Sequence, residues 1–99
     1  MKNLDNTITT LLNSAKDHQV IANDYAKIVL NPDKYWSAKS RKGVAANLSY
    51  EHQRAAQGDI NSAVSEYIAE NGDMTVEDLV TDLNIGWVEA AEALAQYTL

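Results

Sequence analysis

Between Leu4 and Val29, small or apolar residues recur at alternating spacings of four and three: Leu4, Ile8, Leu11, Ala15, Ala22, Tyr25 and Val29, with His18 in register. That is a heptad-like seam, and Leu12, Ala26 and Leu30 widen it while Ile21 and Ile28 extend its other side. The pattern predicts one long helix over about 3–30, stopped by Asn31 and Pro32, because proline has no N–H to continue the ladder. A break near Asp17 is the alternative, since Ser14-Ala15-Lys16-Asp17 has the form of a capping box. A seam of this kind suits a second chain, so Leu4, Ile8, Leu11, Ala15, His18, Ala22, Tyr25 and Val29 are the candidate dimer contacts.

Further along, Asn31-Pro32-Asp33 suits a new helix start and a short helix carrying Tyr35 and Trp36. Val44 to Gln57 is Ala-rich and helix-compatible, with Gly58 expected to end it and Asp59 to cap the next helix. In that next helix Ile60, Ala63, Val64, Tyr67 and Ile68 share a face up to Asn71-Gly72. Thr75 then caps a short helix with Asp78 in capping-box position and Met74 placed to staple onto Leu79. Asn84-Ile85-Gly86 turns the chain into a last helix ending near Tyr97. The expectation is an all-α bundle of about five helices in one domain: a long helix over 3–30, a basic connector and helix over 31–58, and an acidic unit over 59–99.

Composition limits that core. Of 99 residues, 45% are hydrophobic, yet many of these are alanine and there is no phenylalanine. A lean core stabilises a monomer modestly, so association with a partner or a second copy is expected. Without cysteine there is no disulfide, thiolate metal site or cysteine nucleophile. No stretch approaches 18 apolar residues and the N-terminal segment lacks a signal-like apolar run, so the expectation is a cytoplasmic protein without a membrane anchor.

Charge changes the picture more. The first 54 residues hold all eight Lys and Arg against five acids; the 45 that follow hold nine carboxylates and no base. Those nine are Asp59, Glu66, Glu70, Asp73, Glu77, Asp78, Asp82, Glu89 and Glu92. Solvated helices ordinarily interleave signs, whereas Glu66 with Glu70 and Asp78 with Asp82 are like-charge pairs at i, i+4 and cost a little stability. The net charge of −6 disfavours non-specific contact with nucleic acid or anionic lipid and favours basic partners. Lys34, Lys39, Arg41 and Lys42 form the one basic cluster. Beside Tyr35 and Trp36, the candidates for nucleic-acid contact are Lys39, Arg41 and Lys42, with meeting the acidic half as their other use.

Thr75 to Gly86, followed by Ala90 and Ala93-Leu94, resembles the helix-turn-helix core of winged-helix regulators, with a capping Thr, two spaced leucines, a tight turn and a small-residue helix. The resemblance spans about 40 residues if the segment from Ile60 to Glu70 supplies a first helix. Asn84 stands where the pattern has Gly, Gly86 where it has Ser, and the sequence stops at Leu99 where a wing would begin. The would-be recognition helix offers Glu89, Glu92 and Gln96, and carboxylates beside phosphates oppose binding. Its apolar arc also exceeds the ~100° that a surface helix needs, with Trp87, Val88, Ala91 and Ala95 beyond the core face.

Catalysis has little to work with. His18 and His52 have no metal-spaced neighbour in sequence, there is no phosphate-binding glycine loop, and Glu70-Asn71-Gly72-Asp73 lacks the remaining ligands of a calcium loop. No catalytic residue, metal or cofactor is expected. The reading is a non-enzymatic acidic interaction module that binds a basic protein surface, such as that of a nucleic-acid-binding complex. The expected contacts are Glu66, Glu70, Asp73, Glu77, Asp78, Asp82, Glu89 and Glu92, with Trp87 and Val88 as apolar anchors. In size and acidity the chain is similar to small phage-encoded inhibitors of the anti-CRISPR and anti-restriction type, in which an acidic surface acts as a DNA mimic. The alternatives are a dimeric helix-turn-helix regulator and a structural subunit of an assembly.

Overall fold

The computed structural model describes residues 4–30 and 42–98, with side chains from Leu4 to Leu30 and from Val44 to Thr98. They form four helices and no strand: α1 (Asn6–Leu30), α2 (Lys42–Asn71), α3 (Val76–Leu83) and α4 (Trp87–Thr98). The short helix expected near Tyr35 and Trp36 falls outside the described residues, as do Lys34, Lys39 and Arg41.

α1 starts where Asp5 supplies a cap, its Oδ1 accepting from the Ile8 N–H at 2.9 Å. It then runs unbroken through Asp17. α1 and α2 form an antiparallel hairpin: Asp5 meets Glu70 at one end, His18 meets His52 in the middle, and Ser49 Oγ donates to the Ala22 carbonyl at 2.9 Å further out. At ~1.5 Å per residue a helix of 30 residues is about 45 Å long, which accounts for most of the 50 Å long axis of the molecule.

The middle of the chain, expected as two helices divided at Gly58, is one continuous helix. α2 passes straight through Gly58, and Asp59, expected as a cap, lies inside the helix with Oδ2 buried and unpartnered. Glycine in a helix interior costs only about 1 kcal/mol relative to alanine. On either side of it, Ala56 and Ile60 are both 2% exposed, so packing of the same face holds the helix together across the weak point. The separate first helix expected for the helix-turn-helix resemblance is therefore the C-terminal, core end of a much longer one.

The core lies at one end of the hairpin, where Ile8 and Ala15 of α1 meet Ile60, Val64, Tyr67 and Ile68 of α2, Leu79 and Leu83 of α3, and Ala90 and Ala93 of α4. The other end is thin. Beyond His18, the buried side chains among the described residues are Ala22, Ala45 and Ser49.

Local chemistry sets the acidic end. Gly72 closes α2 at φ +88, its N–H reaching the Ile68 carbonyl at 2.8 Å. Thr75 and Asp78 form the expected reciprocal capping box, with both bonds at 3.1 Å. Met74 joins the same core cluster as Leu79. Asn84 takes the left-handed conformation at φ 55 and ψ 50, which an Asn tolerates better than most side chains.

Candidate interaction surfaces

The carboxylates after Arg54 fall into groups with different surroundings. Glu66 and Glu70, one turn apart on α2, come together with Asp5 from the start of α1, their oxygens all within 4.8 Å. The Asp5–Glu70 contact sets two carboxyls against each other. It holds the Glu70 carboxyl above the ordinary range, with burial and the charges of Asp5 and Glu66 adding to the effect, and holds Asp5 below it. Three oxygens suit a hard divalent cation, which takes six or more donors, so they supply roughly half of its shell. Among the described residues no other group of His, Asp and Glu converges in this way.

Asp78 and Asp82 have local work. Asp78 completes the Thr75 cap, and Asp82 Oδ2 accepts from the Tyr67 hydroxyl at 2.8 Å. Burial first, and then that hydrogen bond, raises the Tyr67 phenol well above its ordinary 10.0. Asp73 and Glu77 are exposed beside this group, in the connection and first turn of α3.

On α4, Trp87 and Val88 are 59% and 74% exposed, with Glu92 exposed one turn on. Glu89 is half-buried and folds back over Gly86, occupying the space that a side chain at Gly86 would take. Tyr97, near the end of α4, is 45% exposed.

α1 and α4 both lean on α2 and leave an open groove of about 1020 Å³ between them. Carboxamides line it from all three helices: Gln19 and Asn23, Gln53 and Gln57, and Gln96. Val88, Glu89 and Glu92 form part of its α4 wall, and Arg54 faces it from α2. The Arg54 guanidinium stacks 5.8 Å from the Tyr50 ring centroid and reaches the Tyr50 hydroxyl at 3.4 Å. Sequence patterns did not signal this groove, because its lining comes from polar positions on separated segments.

The predicted dimer seam is taken up within the chain. Ile8, Ala15 and Ala22 are buried against α2, Leu11, His18, Tyr25 and Val29 are half-buried, and Leu4 is 48% exposed. A second chain on that seam would have to displace α2. His18 and His52 meet across the hairpin, Nδ1 to Nδ1 at 2.8 Å, a contact between residues 34 apart that no local spacing signals. Tyr25 stacks on His52, ring centroids 6.0 Å apart. Of the basic cluster, Lys42 opens α2, while the side chains of Lys39, Arg41 and Lys42 lie outside the described set.

No helix among the described residues is long and apolar enough to cross a membrane. Comparison of the chain with known protein families, with characterised proteins and with solved structures finds no match to any of the three.

Proposed function

We propose that this protein is a non-enzymatic interaction module whose α4 face and adjoining groove dock onto a basic surface of a partner protein. The observation that carries the reading is the pairing of exposed Trp87 and Val88 with Glu92 on one short helix, in a half of the chain that has no Lys or Arg. Aromatic anchors surrounded by one sign of charge have the composition of an interface rather than of a merely solvated helix. Glu66, Asp73 and Glu77 extend the negative field without an ion pair to any described residue, so they are available to steer a cationic partner. A nucleic-acid-binding protein is the expected partner class, because its basic groove complements this surface.

The test is affinity capture with the purified chain as bait, comparing the native sequence with Trp87→Ala and with Glu92→Lys. A partner retained at low salt, released by added salt and lost with either variant supports the reading. Glu89→Lys is the poorer choice, since Glu89 also packs over the start of α4. Retention that ignores both salt and the variants would sink the proposal. Tight, sequence-selective binding to duplex DNA at physiological salt would replace it with the helix-turn-helix regulator.

A further inference from the structure

We infer that the His18–His52 pair is an acid-sensitive latch that holds the outer half of the α1–α2 hairpin closed. Two Nδ1 atoms at 2.8 Å are at hydrogen-bonding distance, so one ring donates and the other must offer a lone pair. The pair therefore accommodates one imidazolium. A second would set two N–H groups head to head across the helix interface.

Among the described residues no carboxylate pairs with either ring to offset that second charge. Tyr25 of α1 is stacked on His52, its ring nearly parallel to the imidazole at 14°. Asp17 and Glu51, the sequence neighbours of the two histidines, are exposed, and neither is in ion-pair contact with a ring. Arg54 of α2 is engaged with Tyr50, and the hydrogen bond and ring contacts of the two imidazoles are with each other and with Tyr25, none with a group of α3 or α4 among the described residues.

What the latch holds is lightly built. Outward from it the described packing consists of Ala22, Ala45 and Ser49 with half-buried Tyr25, Ala26, Ile28, Val29 and Leu48, while the largest fully buried side chains all lie at the other end. Breaking the pair releases the thin end and spares the core. It also moves Gln19 and Asn23, the α1 wall of the groove, although the latch itself does not depend on what the groove binds.

With the pair open, each imidazole can hold a proton on both of its nitrogens, whereas the latched pair has room for one such ring. Acid therefore favours opening, by up to about tenfold in the equilibrium for each pH unit.

The experiment is hydrogen exchange on the full chain between pH 7.5 and 5, corrected for intrinsic rates, together with imidazole nitrogen spectra. The expected result is loss of protection over residues 19–30 and 44–52 at the lower pH, with 60–68 still protected. His52→Gln, which donates without titrating, should flatten that pH dependence. If His52→Gln does not fold, the imidazole spectra of the native chain decide alone. Two histidines that both protonate while protection of the outer hairpin stays constant would overturn the latch, as would the same pH dependence in a folded His52→Gln.

Discussion

The Tyr67 hydroxyl, on a side chain with no exposed surface, reaches out of the core to Asp82 Oδ2 at 2.8 Å and so ties the long helix α2 to α3. The ring supplies packing and the hydroxyl a charge-assisted hydrogen bond, two contributions that separate experimentally. Tyr67→Phe should keep the packing and lose the bond, at a cost of about 1.5–3 kcal/mol in urea unfolding. Tyr67→Ala should cost more, about 3–5 kcal/mol, by the cavity it leaves. The raised phenol also sets an alkaline limit. Its stabilisation is complete below the ordinary tyrosine value of 10.0 and is lost progressively above it, because the unfolded chain ionises first. Absorbance of phenolate during an alkaline titration should therefore lag one tyrosine behind the rest until unfolding, and a full early complement would contradict this.

The Asp5–Glu70 contact gives an opposite pair of pH effects. Glu70, raised, favours the folded state at low pH and loses that contribution as pH rises through its folded value. Asp5, lowered, contributes above its ordinary 3.8 and loses that contribution as pH falls. Glu70→Gln removes the conflict by giving Asp5 a permanent N–H donor and relieving the repulsion with Glu66. Thermal melts should show a higher midpoint for the variant at pH 7 and little difference near pH 4. A variant less stable at pH 7 would mean that the carboxylates are not in conflict there.

Two glycines should respond in opposite directions. Gly58 lies inside α2 with nothing within 4 Å of where a side chain would start, so Gly58→Ala should raise stability by about 1 kcal/mol. Gly72 is equally uncrowded but sits at φ +88, so Gly72→Ala should destabilise by about 1 kcal/mol through backbone conformation alone. Urea midpoints for the two variants on either side of the native chain are the expected result. Equal shifts would indicate that space rather than backbone geometry governs both positions.

Local instructions were legible where one turn of chain contains them. The Thr75–Asp78 box, the turn at Asn84-Ile85-Gly86 and the continuous α1 helix depend on residues close in sequence, and all are present. The exposure of Trp87 and Val88 also follows from an apolar arc wider than one contact face. Gly58 does not end the helix, because its local preference for doing so is weak and burial of Ala56 and Ile60 on both sides outweighs it.

The sequence by itself determined an all-helical chain, the capping and turning of its acidic end, and the segregation of charge into its second half, because each is a property of neighbouring residues or of composition. Only the tertiary structure decided that the α1 seam is filled by α2, that Asp5 joins Glu66 and Glu70, that His18 faces His52, and that α1 and α4 leave a polar groove between them. These relationships depend on the register and crossing of helices tens of residues apart. A seam of small and apolar residues accepts any complementary helix, so its partner is chosen by packing, which the spacing along one strand of sequence does not encode.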